Sequence, residues 1–249
     1  MIKRAKRLAR PYVRAVQGRY RAMRRLISAS APAWLAGRLD NLLDYMDLHV
    51  VDHGIFRMIY SNRHKLSPVV WRSSQPTPHE IRMLARRGLK TVINLRGNRD
   101  CGSYRLEEAT CRRKGVKLIN FTVRSREAPS KETIHEAKEL FATIEYPALI
   151  HCKSGADRAG LVSVLYMIFH EGRPVAEAKR QLSLRFGHIR QADTGILDKI
   201  FDNYLAHSSN EPIAFLDWVD RYYDPEEVTR TFKARSMANM LVNRIIKRE

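Results

Sequence analysis

The segment His151-Cys152-Lys153-Ser154-Gly155-Ala156-Asp157-Arg158-Ala159-Gly160 sets an arginine six residues after a cysteine, between the apolar run Ala148-Leu149-Ile150-His151 and a long helical stretch. A loop of this length joining a strand to a helix can curl until successive backbone N–H groups converge. They then form a nest for a tetrahedral dianion, and the helix N-terminus adds positive potential. Gly155 allows the backbone conformation such a curl requires. Arg158 can clamp two oxygens of the anion with its planar fork, which a lysine does not do. The same field stabilises a thiolate, so Cys152 is expected to ionise below the range of a free thiol and to act as a nucleophile at neutral pH. Lys153, Ser154, Gly155, Ala156, Asp157 and Arg158 are the expected phosphate cradle.

That chemistry needs a scaffold that ends a strand and starts a helix at one place. From about Leu66 strand patterns alternate with helix patterns, which predicts an α/β domain with a mainly parallel sheet. The expected strands are Val69 to Arg72, Thr91 to Leu95, Val116 to Val123 and Ala148 to His151. Thr77-Pro78-His79-Glu80 predicts a helix start, with Thr77 as N-cap, Pro78 at the first helical position and Glu80 closing a capping box. This helix should end at Gly88, the next should run within Ser103 to Lys114 and stop at Gly115, and another should start at Pro129-Ser130 and reach Ile144. Helices are expected from Ala159 to His170, after Pro174, and from Thr194 to His207. Arg96, at the end of a parallel strand, lies where open sheets place ligands, and is a candidate contact for substrate phosphate or a member of the sheet's polar rim.

The chain has 249 residues and a formal net charge of +19. Residues 1–39 hold 11 Lys or Arg and no acid, residues 229–249 hold 6 against 1, and the middle is nearly balanced at 28 against 25. Basicity therefore belongs to the ends. Ile2, Ala5, Leu8, Tyr12, Val16, Tyr20, Met23 and Leu26 recur at helical spacing among the first arginines. This predicts a basic amphipathic extension suited to an anionic membrane surface, with a tail folded on its own domain or a transit segment as alternatives. The expected organisation is an extension at 1–39, a helical lead-in at 40–66, the catalytic domain at 67–207 and a basic helical tail at 208–249. Few aromatics interleave the tail arginines, so nucleic acid is disfavoured as a partner. The longest strongly apolar stretch, Ala159 to Phe169, has 11 residues where a span needs about 20, which disfavours a transmembrane or exported protein. Cys101, Cys111 and Cys152 show no paired spacing, which argues for a reducing compartment and against zinc. Asp52, His53 and His64 lack a further spaced ligand and are better read as capping and packing groups. The expected location is cytoplasmic, or peripheral on the inner membrane face.

His-Cys-x5-Arg between an apolar strand and a helix resembles the signature of the cysteine-dependent protein tyrosine phosphatase superfamily. Arg72-Ser73-Ser74-Gln75-Pro76 and Val92-Ile93-Asn94-Leu95-Arg96 make its bacterial dual-specificity-like branch the most similar. The likeness covers about Ser67 to His207. It implies a tyrosine-phosphatase-like sheet flanked by helices, and a metal-independent phosphomonoesterase without cofactors. Cys152 would form a phosphocysteine, with Arg158 holding the equatorial oxygens. His151 would support the loop and thiolate rather than react. The chain departs from the family pattern twice. No aspartate lies between Asp100 and Asp157, so the proton donor is either Asp157, inside the loop, or Glu127, in the connection Arg124-Ser125-Arg126-Glu127. Each has a plainer alternative, a loop-stabilising salt bridge for Asp157 and a helix-entry charge for Glu127. Ala159 stands where many relatives carry a hydroxyl that helps the thiolate leave, so the intermediate is expected to hydrolyse slowly. The substrate is a phosphorylated protein by default. A phospholipid, lipid-linked sugar phosphate or inositol phosphate is the alternative, and a catalytically weak phosphate-binding module is the rival from another class. Lys153, Arg124 and Arg126 would make the mouth positive, and Cys101 or Cys111 is a candidate redox partner for Cys152 or a plain structural thiol.

Overall fold

Strand alternation decides what reaches each face of the sheet. The structure, a computed structural model, describes residues 32–48 and 61–234, with isolated positions 18, 22, 23 and 26. Five short strands, β1 (His64–Lys65), β2 (Val70–Ser73), β3 (Thr91–Asn94), β4 (Lys117–Asn120) and β5 (Ala148–His151), lie in the order β1-β2-β5-β3-β4. β1 runs antiparallel to β2 and the rest are parallel, so β5 is central, with Ser73 and Asn94 level with His151 on either side. All four parallel strands thus finish on one edge, where their connecting loops gather.

Successive side chains of a strand point to opposite faces. Val70, Ile93, Ala148 and Ile150 enter the larger core, while Val92 and Leu149 enter a smaller one with Ile81, Leu84, Leu89, Cys111 and Val116. The smaller core is covered by α2 (Pro78–Arg86) and α3 (Gly102–Lys114), against which α1 (Ala33–Met46) packs. The larger one is covered by α4 (Lys131–Thr143), α5 (Asp157–Phe169), the single turn α6 (Val175–Ala178), α7 (Ile196–Ser208) and α8 (Phe215–Tyr222). α5 is buried at every position from Ala159 to Tyr166 because it lies against β5, α4 and α6 at once. Each large aliphatic side chain removed from water there contributes about 1.5–3 kcal/mol, so the start of α5, and with it Arg158, is rigidly placed.

Local signals are realised closely. Thr77 accepts from the Glu80 amide and Glu80 returns a bond to the Thr77 amide, completing the capping box. Ser130 caps α4 through the Thr133 amide, and Gly115 ends α3 in the left-handed region with φ 65°. Other boundaries differ for tertiary reasons. β4 stops at Asn120 instead of Val123 because its partner β3 ends at Asn94, whose carbonyl takes the last rung from Phe121. The helix expected after Pro174 is one turn that tightens into a 3₁₀ segment, Lys179–Gln181, and a 3₁₀ turn at Asp193–Gly195 takes the place of the expected start at Thr194. β1 is too short to leave an alternation pattern. Phe215, Trp218, Val219, Tyr223 and Val228, assigned above to the tail, belong to the larger core. Most of residues 1–31 and all of 235–249, where the amphipathic expectations fall, lie outside the described residues, as do Asp52 and His53. Among the described residues, no helix is long and apolar enough to cross a membrane.

Candidate active site

β5 delivers Cys152 to the edge of the sheet, and the chain then turns through Lys153–Ala156 into α5. Cys152 is buried, and its Sγ accepts the Gly155 amide at 3.2 Å, so the loop wraps the sulfur as the sequence anticipates. The curl depends on Gly155 for two reasons. Its φ is +73°, and a Cβ there would sit 2.7 Å from the backbone of Ser73 and Ser74. The N-cap of α5 is Ala156, which makes no side-chain cap, so no side chain competes with an anion for the first amides of the helix. Lys153 and Ser154 are exposed at the rim, and Ala159 is fully buried.

The loop is held from behind by a residue whose role the sequence did not reveal. Arg72 is on the core-facing side of β2 and has no exposed surface. Its guanidinium donates to the carbonyls of Gly155 (2.7 Å), Ala156 (3.0 Å) and Gln181 (2.8 Å) and to Gln181 Oε1 (2.9 Å), and its carbon lies 4.2 Å from the Phe186 ring centre. Gripping the loop by these carbonyls fixes its curl around Cys152, with the Ala156 amide meeting Ser154 Oγ at 3.4 Å. Asn62 adds a second clamp, donating from Nδ2 to the carbonyls of Ser154 and Phe186, both at 2.9 Å. A charged residue at an inward position of a buried strand was the available signal for Arg72; Asn62 offers none. His64, set aside above as a packing group, contacts Asn62 Oδ1 at 3.0 Å and meets Phe186 edge-on.

On the other face, a buried polar chain connects the elements around the nucleophile. His151 Nε2 lies 2.7 Å from Glu107 Oε1, with both side chains fully buried. Glu107 Oε2 accepts from Gln75 Nε2 at 2.9 Å, and Gln75 Oε1 accepts from Arg96 at 2.7 Å. The Arg96 amide in turn bonds Asn94 Oδ1 at 2.9 Å. Hydrogen bonds thus join Arg96 to Glu107 through Gln75, whereas His151 meets Glu107 as a close ion-pair contact without hydrogen-bond geometry; Glu107 was not among the expected site residues. Glu107 shares the buried face of α3 with Ser103 and Cys111, and an acid in that company was the missed sign.

Arg158 is partly buried and donates to the Leu95 carbonyl at 3.3 Å, which ties it to the end of β3. Burial holds its guanidinium below the usual arginine value; Arg96 and Arg99 act in the same direction, and the Cys152 and Asp157 charges oppose them. Asp157, next to it, is bonded through Oδ1 to His188 Nδ1 at 2.8 Å, and His188 Nε2 lies 2.8 Å from Asp198 Oδ2. Glu127 is about half exposed, with both oxygens within 3.1 Å of Arg124 Nη1. Cys111 lies in the smaller core and Cys152 in the larger, so the sheet separates them, and burial pushes the Cys111 thiol up to about 12. The structure therefore contradicts the pairing of Cys111 with Cys152 and keeps Cys111 as a structural thiol.

Residues 48–196 match the family described as a DSP-PTPase phosphatase fused to NAD+ kinase. The chain belongs to this family. The match spans the strands, the cysteine loop and the start of α7, so the family sequence and the geometry coincide. Among curated proteins, the dual specificity protein phosphatase TpbA of Pseudomonas aeruginosa, from two strains, is 27% identical over 112 residues, covering 45% of this chain and 48% of TpbA. The chain spans about half the length of these relatives. The crystal structure of P. aeruginosa TpbA is similar with a TM-score of 0.45 at 22% identity, over 60% of this chain and 91% of that one. The crystal structure of PTPMT1 gives 0.44 at 16% identity, over 60% and 99%.

Proposed function

We propose that the protein is a cysteine-dependent phosphomonoesterase of the tyrosine or dual-specificity type, working through a phosphocysteine. The observation that carries this reading is the Cys152 sulfur seated in a loop that Arg72 and Asn62 hold by its carbonyls and bonded to the Gly155 amide, with the Arg158 guanidinium tied to the end of β3 and in charge interaction with Cys152. In the first step Cys152 Sγ attacks phosphorus in line, the ester P–O bond breaks, and its electron pair leaves with the ester oxygen. Arg158 and the loop amides hold the equatorial oxygens as their charge grows. In the second step water attacks phosphorus, the S–P bond breaks, its electron pair returns to sulfur, and the water's proton passes to a carboxylate. Asp157 and Glu127 are the proposed proton-transfer groups. Thiolate and guanidinium supply the nucleophile and the charge stabilisation, so the reaction needs no metal. Arg96, tied to Gln75, is proposed to contact the phosphate from the β3 side, while His151 supports the loop. The test is turnover of 4-nitrophenyl phosphate that resists a chelator and is abolished by Cys152→Ser; turnover retained by that variant sinks the proposal.

A phosphorylated protein is the default substrate. The basic, acid-free stretch of residues 1–39 favours a second reading, in which a phospholipid, lipid-linked sugar phosphate or inositol phosphate is attacked at the inner membrane face. The buried Ala159, which lacks a hydroxyl to assist the departing thiolate, favours slow turnover, and at its limit a phosphate-binding module. A panel of phosphopeptides, phospholipids and inositol phosphates, run with wild type beside Cys152→Ser, separates these readings.

A further inference from the structure

The loop aspartate does not stand alone. His188 follows Gly187, whose position is 3.7 Å from the Ala156 side chain if extended by a Cβ, so the 186–188 turn lies directly against the cysteine loop. The His188 side chain is fully buried, and each ring nitrogen faces a carboxylate oxygen at 2.8 Å, Asp157 at the first residue of α5 and Asp198 in α7. Asp198 is itself almost fully buried, while Asp157 keeps about a quarter of its side chain exposed. An imidazole with a carboxylate on each nitrogen donates on both sides only when it is protonated. The two carboxylates raise the His188 pKa to about 9 against the opposing effect of burial. The other charged groups around the cluster are Arg158 and Cys152 beside Asp157, and Arg72, Arg185 and His64 around Phe186.

We propose that His188, braced by Asp198, is a positioning residue that fixes the Asp157 carboxylate as the proton acceptor of the second step, for the water that hydrolyses the phosphocysteine. The inference rests on the phosphatase reading and assigns a division of labour within it. With Oδ1 held by His188, Oδ2 of the partly exposed Asp157 is the oxygen that serves as the base. When water attacks phosphorus, the S–P pair returns to Cys152 and one water proton goes to Asp157, which then releases it to solvent. With Asp157 committed to accepting in the second step, protonation of the ester oxygen in the first step falls to Glu127.

The experiment is rapid-mixing kinetics of 4-nitrophenyl phosphate with the full chain, following nitrophenol and phosphate separately from pH 5 to 10. For wild type, phosphate release should fall as pH rises through about 9, where His188 loses its proton. His188→Gln should keep the nitrophenol burst within about twofold, slow phosphate release at least tenfold and lack the alkaline limb. Asp157→Asn should slow phosphate release by a similar factor, and the double variant should be no slower than either single one. A burst and phosphate release that fall together in His188→Gln, or single-variant effects that multiply, would overturn the assignment. Melting temperatures at pH 7 identify a variant that has merely lost its fold; if His188→Gln does so, Asp198→Asn, which keeps a hydrogen-bonding partner, must show the same split between steps or the proposal fails. Wild-type protein that releases no nitrophenol overturns the phosphatase reading itself, an outcome distinct from an unmoved alkaline limb.

Discussion

A few side chains determine whether the loop exists in a reactive shape, and their loss should separate activity from folding. Arg158→Lys retains charge but loses the planar fork, and should lower kcat by about 10²–10³ with little change in melting temperature. Gly155→Ala forces a Cβ into the Ser73–Ser74 backbone at a positive φ, so the loop must open; activity should vanish at a cost of about 1–3 kcal/mol of stability in urea unfolding. Arg72→Met should be worse for the fold than for binding. It strands the carbonyls of Gly155 and Gln181, while that of Ala156 keeps the Gly160 amide, and chemical denaturation should show a loss of about 2–5 kcal/mol. If Arg72→Met proves as stable as wild type, Arg72 is not what holds the loop in its curl.

Elements carry the next level of control, because the reactive groups come from the ends of β5, α5 and the 186–188 turn. The union of α5 with α7 through Asp157, His188 and Asp198 gives the fold a pH signature of its own. His188 binds its proton more tightly folded than unfolded, rising from 6.5 to about 9, so this contribution is whole below about pH 6.5 and is lost as pH climbs through about 9. Melting temperature should decline over that interval in wild type and much less in His188→Gln. This scale also shows what a sequence can and cannot reveal. Caps and stops are local, so Thr77, Ser130 and Gly115 were readable, as was the cysteine–arginine spacing within one loop. Asp157 and His188 are 31 residues apart, and the bond between them follows from how the turn after Phe186 packs on the loop, for which no local pattern exists. Arg72 and Glu107 fall between these cases, as charges on apolar faces whose partners only the packed sheet reveals.

For the molecule as a whole, the charge lies mostly outside the catalytic middle. If the first 39 residues hold the enzyme on anionic lipid, the full chain should sediment with phosphatidylserine-containing vesicles at low salt and be released by salt. A chain lacking residues 1–31, which leaves α1 whole, should not sediment, yet should hydrolyse a soluble aryl phosphate at an unchanged rate. Equal sedimentation by the two forms would remove that role from the extension.

The placement of Phe215, Trp218, Val219 and Tyr223 inside the main core bears on how this protein can be cut. A fragment designed to finish at His207, the domain boundary expected from the sequence, would strip a layer of rings from Phe201 and Tyr204 and leave oily surface facing water. Such a fragment should precipitate, whereas one extended through Val228 should stay in solution.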